Sequence, residues 1–232
     1  MGKISGMGFR FSKVVWVVPT TSSRKPYSHS STAKIFGEGI DVGYGSGALG
    51  IIDVGSGLKS GSIPLAGHPE SFQLEQDGPR IFVNVPAANQ IAIVDRIKKQ
   101  VVSTWLLDGA HANFPMALDE ANHRLFVGCR NPAKVLVYDT NTGRAVSTFS
   151  IVGDTDDLFY DTAHKHLYVT GGEGYLEVFA QESQDRYTRL QRTPTAPGAR
   201  TSFFVPELSR LYIAVPHRGT QAAALQVFTT VP

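Results

Sequence analysis

The feature that most constrains this chain is a repeat of 41 to 44 residues. Five segments share one frame, beginning at Ile40, Ile81, Leu125, Leu167 and Leu211. Each opens on an apolar strand pattern, such as LFVGC from Leu125 or LYVTG from Leu167. A turn and a second apolar strand come next, ending on Asp53, Asp95 or Asp139 in three of the units. A polar turn then leads to a third strand (SIPL, VVSTWLL, AVSTFSI). A glycine-containing link leads to a fourth (ESFQLE, FPMALDE, DDLFYD, TSFFVPE), and a basic position closes the unit at Arg80, Arg124, Lys165-His166 and Arg210. No stretch of ten residues carries an apolar period of 3.6, so helices are expected to be nearly absent. Four short strands every forty-odd residues, separated by turn chemistry, predict an all-β propeller of four-stranded blades. The aligned aspartates read as turn starters, each carboxylate accepting backbone N–H groups two residues on.

The same frame disposes of a dinucleotide-binding reading of GYGSGALG, Gly43 to Gly50. The glycines at Gly45, Gly47 and Gly50 fit a phosphate fingerprint only if they open a helix. The next residues, IIDVGSG, are a β-branched run with two more glycines, which cannot open one. The stretch is a hairpin turn, and no nucleotide cofactor is expected.

The repeat resembles the YVTN-type β-propeller family. The likeness rests on LYVTG, on the apolar strand with its terminal Asp, on the TG or KK turn, on VVSTWLL and on the Gly67-His68-Pro69 link. It runs from about Ile40 to Phe228. The superfamily includes lactonases, periplasmic binding proteins and propeller portions of redox enzymes. The resemblance therefore implies a small-molecule site at the channel mouth and, in the lactonase case, metal-assisted opening of a lactone, including acyl lactones. Many members have seven blades and a longer chain than the 232 residues here.

Taking the link strand as innermost, the unit near Ile40 lacks its inner strand and the last unit lacks its outer one. Residues 1–39 stand outside the repeat and hold two spare strand-like pieces, KVVWVVPT from Lys13 and AKIFG from Ala33. The expected organisation is a closing segment, 1–39, and a repeat region, 40–232, that together form five closed blades, since unpaired sheet edges need partners. The alternative is an open arc that closes through a homodimer.

Aligning the links places the candidate site residues together around one axis. Glu70, Asn113, Asp154, Asp156 and Asp157 offer oxygen ligands of the kind Ca²⁺ takes. His68 and His111 are candidate bases, and Arg200 could hold a carboxylate or phosphate. Three readings stay open: a Ca²⁺ site polarising a lactone or ester carbonyl, a small-ligand site without chemistry, and a structural cluster of turn-forming carboxylates neutralised by Arg200. The competing functional class is a non-catalytic ligand-binding or protein-interaction scaffold. There is no Gly-x-Ser-x-Gly elbow. His164 and His166 lack an evident third zinc ligand. Cys129 reads as a buried, inert thiol.

A net charge of +2 gives no nucleic-acid footprint, and an apolar fraction of 42% suffices for a core. No run reaches the ~18 apolar residues of a membrane span. The single cysteine fits a reducing compartment. Lys3, Arg10 and Lys13 precede only Val14–Val18 and then Pro19, so no signal peptide is expected, although the family likeness would suggest a bacterial periplasm. The chain is expected to be a monomer or homodimer.

Overall fold

The computed structural model describes residues 38–43, 47–53 and 55–230. Strands account for nearly all regular structure, apart from the single 3-10 turns Pro86–Ala88 and Pro206–Leu208. The first sheet comprises β1 (Glu38–Gly43), β2 (Ala48–Asp53) and β3 (Lys59–Pro64). The second comprises β4 (Phe72–Leu74), β5 (Arg80–Val85), β6 (Gln90–Asp95) and β7 (Gln100–Leu106). The third holds β8 (His111–Asp119), β9 (Arg124–Asn131), β10 (Ala133–Asp139) and β11 (Ala145–Ser150). The fourth holds β12 (Thr155–Asp161), β13 (His166–Gly171), β14 (Tyr175–Ser183) and β15 (Arg186–Pro194). The fifth holds β16 (Thr201–Val205), β17 (Arg210–Val215) and β18 (Ala224–Thr229). Every sheet is an antiparallel meander in sequence order, so the chain is a β-propeller built from the expected blades. Among the described residues the first and fifth sheets have three strands rather than four. The pieces expected to fill them, Lys13–Thr20 and Ala33–Gly37, lie outside the described residues.

Local chemistry explains the repeat. Asp53 accepts a hydrogen bond from the Ser56 amide at 2.7 Å, Asp95 from Ile97 and Lys98 at 2.9 Å, and Asp139 from Asn141 and Thr142 at 2.9 Å. These are the turn starters that the sequence predicts. The turn of GYGSGALG likewise joins two antiparallel strands, Gly43 pairing with Ala48. Gly47 there sits at φ +81°, and a Cβ would come within 2.5 Å of the Gly67 carbonyl oxygen, so no other residue fits the approach of these two loops.

Each of the four described pairs of outermost strands, β2–β3, β6–β7, β10–β11 and β14–β15, shifts register at an equivalent point: Ile51/Ile52, Ile93/Val94, Val137/Tyr138 and Val178/Phe179. A bulge increases local twist, which turns the outer part of each blade. The core lies between blades. One buried cluster joins the first and second sheets through Leu49, Ile51, Ile81 and Val83. A second joins Phe82 and Ile91 to Leu125 and Val127, a third joins Phe126 and Val135 to Leu167 and Val169, and a fourth joins Tyr168 and Leu176 to Leu211 and Ile213. Strand alternation thus gives the second, third and fourth blades one face for the blade before and one for the blade after.

At Arg80 and Arg124 the basic position that closes a unit also ties neighbouring blades. Arg80 donates to the Thr140 carbonyl of the third sheet's outer turn. Arg124, nearly fully buried, bonds Asp139 at 2.7 Å within its own sheet and Asp185 at 2.6 Å in the fourth.

Candidate functional site

The links entering β4, β8, β12 and β16 converge, and a continuous polar chain joins them. Ser71 donates its hydroxyl to the Phe114 carbonyl. Buried Asn84 donates its amide to the Phe114 and Pro115 carbonyls at 3.1 and 3.3 Å and accepts from Asn113 at 2.8 Å. The Phe114 ring lies under the Arg130 guanidinium, 3.8 Å from its carbon. Arg130 then reaches the next blade, donating Nε to the Thr155 carbonyl and Nη2 to Asp156, both at 2.7 Å. Asp154 stands 3.6 Å from Arg130 and accepts from Arg200, which leads into β16. Asp157 closes the chain by accepting the Ser202 amide at 2.7 Å.

Asp154, Asp156, Arg130 and Arg200 therefore form one charge-balanced cluster at the junction of the third, fourth and fifth blades. Its members are partly exposed, so the cluster is open to a ligand while anchored to backbone. The hydrogen bond to Asp154 holds the Arg200 guanidinium above its already high ordinary range, so it stays charged at every relevant pH. Gly172 makes room for this pairing: a Cβ there would stand 2.0 Å from Asp154 Oδ2.

The other expected site residues fall into separate surroundings. His68 and Glu70 face each other at 3.9 Å. β8 begins earlier than the link alignment suggests, so His111 and Asn113 lie on a strand, opposite Asn131 and Cys129. His111 is exposed, whereas Asn113 is buried with its Oδ1 unpartnered. Ala112 between them adopts φ +56° and Asp154, its equivalent in the next blade, φ +54°, which marks the point where each link bends into the inner strand.

This arrangement does not fit a hard cation as it stands. Asp154 and Asp156 hold guanidinium groups, Asp157 holds a backbone amide, and Glu70 lies with His68. No group of three or more His, Cys, Asp or Glu poised to hold a metal occurs among the described residues. At the opposite end of the blades, His164 bonds Asp161 at 2.7 Å and its ring stands 6.0 Å from that of His166, a turn contact without a third ligand. Cys129 is buried, and burial pushes its thiol up to about 12.

Arg130, a member of the cluster, and Phe114, whose ring lies under it, are not apparent in the sequence. Arg130 lies at the end of β9, outside the aligned links, and Phe114 reads as an ordinary apolar strand residue. The signal for Arg130 is its column: the equivalent positions are the turn formers Pro86, Gly172 and Pro216, and a long cation is the exception.

No protein-family model and no curated protein matches the sequence. Solved structures do. The chain is similar to hydrazine synthase of Kuenenia stuttgartiensis, with a TM-score of 0.65 and 12% identity over 79% of this chain and 57% of that one. It is similar to a chain of the mitotic checkpoint complex, with a TM-score of 0.64 and 17% identity over 76% of this chain and 55% of that one. It is also similar to the dihydro-haem d1 dehydrogenase NirN in complex with DHE, with a TM-score of 0.63 and 12% identity over 90% of this chain and 46% of that one. All three are β-propeller proteins, and the likeness shows the fold. The chain spans about half the length of the structures it matches. Among the described residues, no helix is long and apolar enough to cross a membrane.

Proposed function

We propose that the protein is a ligand-binding β-propeller without chemistry of its own, taking a small carboxylate-bearing molecule at the junction of its third, fourth and fifth blades. The observation that carries this reading is the engagement of Asp154 and Asp156 by Arg200 and Arg130. Paired in this way, the two carboxylates are poor metal ligands, and each already stands in for the anion that a guanidinium recognises. A ligand carboxylate competes with Asp154 for Arg200, while the Arg130–Phe114 stack offers a flat, partly exposed wall beside it. Ca²⁺-assisted lactone opening with His68 or His111 as base would need both aspartates to leave their partners.

The test is thermal stabilisation of the full chain by a panel of small carboxylates, phosphates, lactones and Ca²⁺. Binding to the native state alone raises stability by mass action, about 2.7 kcal/mol at a hundredfold excess over Kd. Saturable stabilisation by a carboxylate, abolished in Arg200→Ala, supports the proposal. Stabilisation by Ca²⁺ together with lactone turnover lost in Asp156→Ala replaces it with the catalytic reading. No response to any of these leaves the protein-interaction scaffold as the function.

A further inference from the structure

Three arginines gather around the cluster, and their donors are not equally spent. A guanidinium carries five N–H groups and accepts nothing. Arg130 uses Nε on the Thr155 carbonyl and Nη2 on Asp156, and its Nη1 stands 3.6 Å from Asp154. Arg200 commits only Nη1, to Asp154; its Nε stands 3.7 Å from Asp156, and its Nη2 meets no acceptor among the described residues. Arg218 commits none. Among the described residues its side chain makes no hydrogen bond and no ion pair, and only its backbone is engaged.

That unspent guanidinium is nevertheless held in place. In the turn after β17 the Arg218 and Gln221 backbones exchange hydrogen bonds at 3.1 and 2.9 Å. The Gln221 side chain donates to the Pro216 carbonyl at 2.8 Å and to the Pro197 carbonyl at 3.2 Å, which clamps the turn to the link that enters β16. Arg218 lies flat on Gly198 of that link: a Cβ there would come within 2.6 Å of Cζ, Nε and Nη2 alike, and the backbone sits at φ +80°. Only glycine suits both conditions. Gly198 is itself fixed, its N–H donating to the Gly172 carbonyl at 2.7 Å and its carbonyl accepting the Arg200 amide at 3.0 Å. Arg218 thus rests, exposed, on the backbone two residues before Arg200.

We propose that Arg218 is a second anion-recognising residue of this site, and that the ligand is a dicarboxylate with one carboxylate on the free edge of Arg200 and the other on Arg218. The inference rests on the carboxylate reading of the cluster and narrows it. A guanidinium fork pairs with a carboxylate through two parallel N–H···O bonds. At Arg200 a ligand competes with Asp154, whereas no carboxylate among the described residues competes for Arg218. Because both cations are pinned to one link, a molecule held at Arg200 engages Arg218 as an intramolecular step, with little further ordering of the protein.

Isothermal titration calorimetry of the full chain tests this with ligands paired by carbon number: butyrate against succinate, valerate against glutarate, hexanoate against adipate. At least one dicarboxylate is expected to bind about tenfold tighter than its monocarboxylate partner, the effect of one added charge-assisted contact. Arg218→Ala should bring that dicarboxylate down to the affinity of its partner. Arg186→Ala, which removes an exposed cation from the outer strand of the fourth blade, should change neither. Dicarboxylates that bind no better than their partners, an advantage that survives in Arg218→Ala, or an equal loss in Arg186→Ala each overturn the role of Arg218 and leave the carboxylate reading standing. Failure of every carboxylate to bind the wild type overturns that reading and this inference together.

Discussion

Arg200 donates a single nitrogen, Nη1, to both carboxylate oxygens of Asp154, each at 2.8 Å, across the boundary between the fourth and fifth blades. The contact joins residues 46 positions apart. It holds the link that enters β16 against the one that enters β12. Because the two side chains are 39 and 38% exposed, its contribution to stability is limited by solvent screening.

Asp154→Asn therefore lowers unfolding free energy by less than about 1 kcal/mol, the range measured for exposed ion pairs. The loss shrinks further at about 1 M salt, where the Debye length falls to ~3 Å. Urea unfolding at low and high salt checks both statements. The variant also weakens the hold on Arg200, leaving Asp156 at 3.7 Å as its remaining carboxylate, so the carboxylate response expected of the wild type strengthens rather than disappears, which separates a competitor from a ligand-holding residue.

The buried counterpart at the other end of the blades behaves differently. The Arg124 side chain is only 5% exposed, and it serves Asp139, Asp185 and the Asn122 and His123 carbonyls together. Arg124→Ala leaves those acceptors without their cation and costs about 1–3 kcal/mol, the range for unsatisfied groups, because Asp139 and Asp185 are 20 and 45% exposed and can be rehydrated. Arg124→Lys restores little, since a point charge cannot make the forked contacts. Denaturant midpoints of the two variants against wild type test this. Equal stability of the lysine variant and wild type would contradict the role of the fork.

The blade pattern is legible in the sequence because each blade repeats the same local chemistry: β-branched strands, Asp53, Asp95 and Asp139 starting turns, and a link before each inner strand. The site is only partly legible. Asp154, Asp156 and Arg200 share the links and can be grouped by alignment. Arg130 and Phe114 enter because the ring lays the end of β9 beside the link into β12, and no column of the alignment records a contact between blades. The interblade use of Arg80 and Arg124 is hidden for the same reason: their spacing is periodic, but their partners lie in the following unit. The bulges between the outermost strands leave no distinctive residue either: the extra positions Ser60, Val102, Val146 and Leu190 look like any other strand residue.

The turn after Asp139 yields a prediction from backbone geometry. Gly143 sits at φ +69°, and a Cβ there would approach the Trp105 ring nitrogen to 2.5 Å. Lys99 holds the equivalent place in the second blade at φ +55°, a conformation that disfavours L residues by about 1–2 kcal/mol. Gly143→Ala should destabilise by at least that amount, with Trp105 displaced. Lys99→Gly should stabilise by a few tenths to about 1 kcal/mol, since relief of the left-handed backbone exceeds the added chain entropy only modestly. Opposite shifts in melting temperature are the expected readout, and a stabilising Gly143→Ala would rule out this account of the turn.

His166 gives the protein a pH dependence of defined sign. It stands at the start of β13 beside Asp161, His164 and Tyr168. Burial lowers its pKa below the ordinary 6.5, with the His164 charge adding to the effect and Asp161 opposing it. The unfolded chain thus binds the proton more tightly than the folded one, and stability rises with pH wherever that is so. The contribution is fully present above 6.5 and is lost as pH falls through the lower folded value. In thermal unfolding between about pH 5 and 7, wild type should lose stability on acidification more steeply than His166→Gln, whose side chain cannot take up a proton in that range. Parallel curves for the two proteins would show that this histidine is not the group responsible.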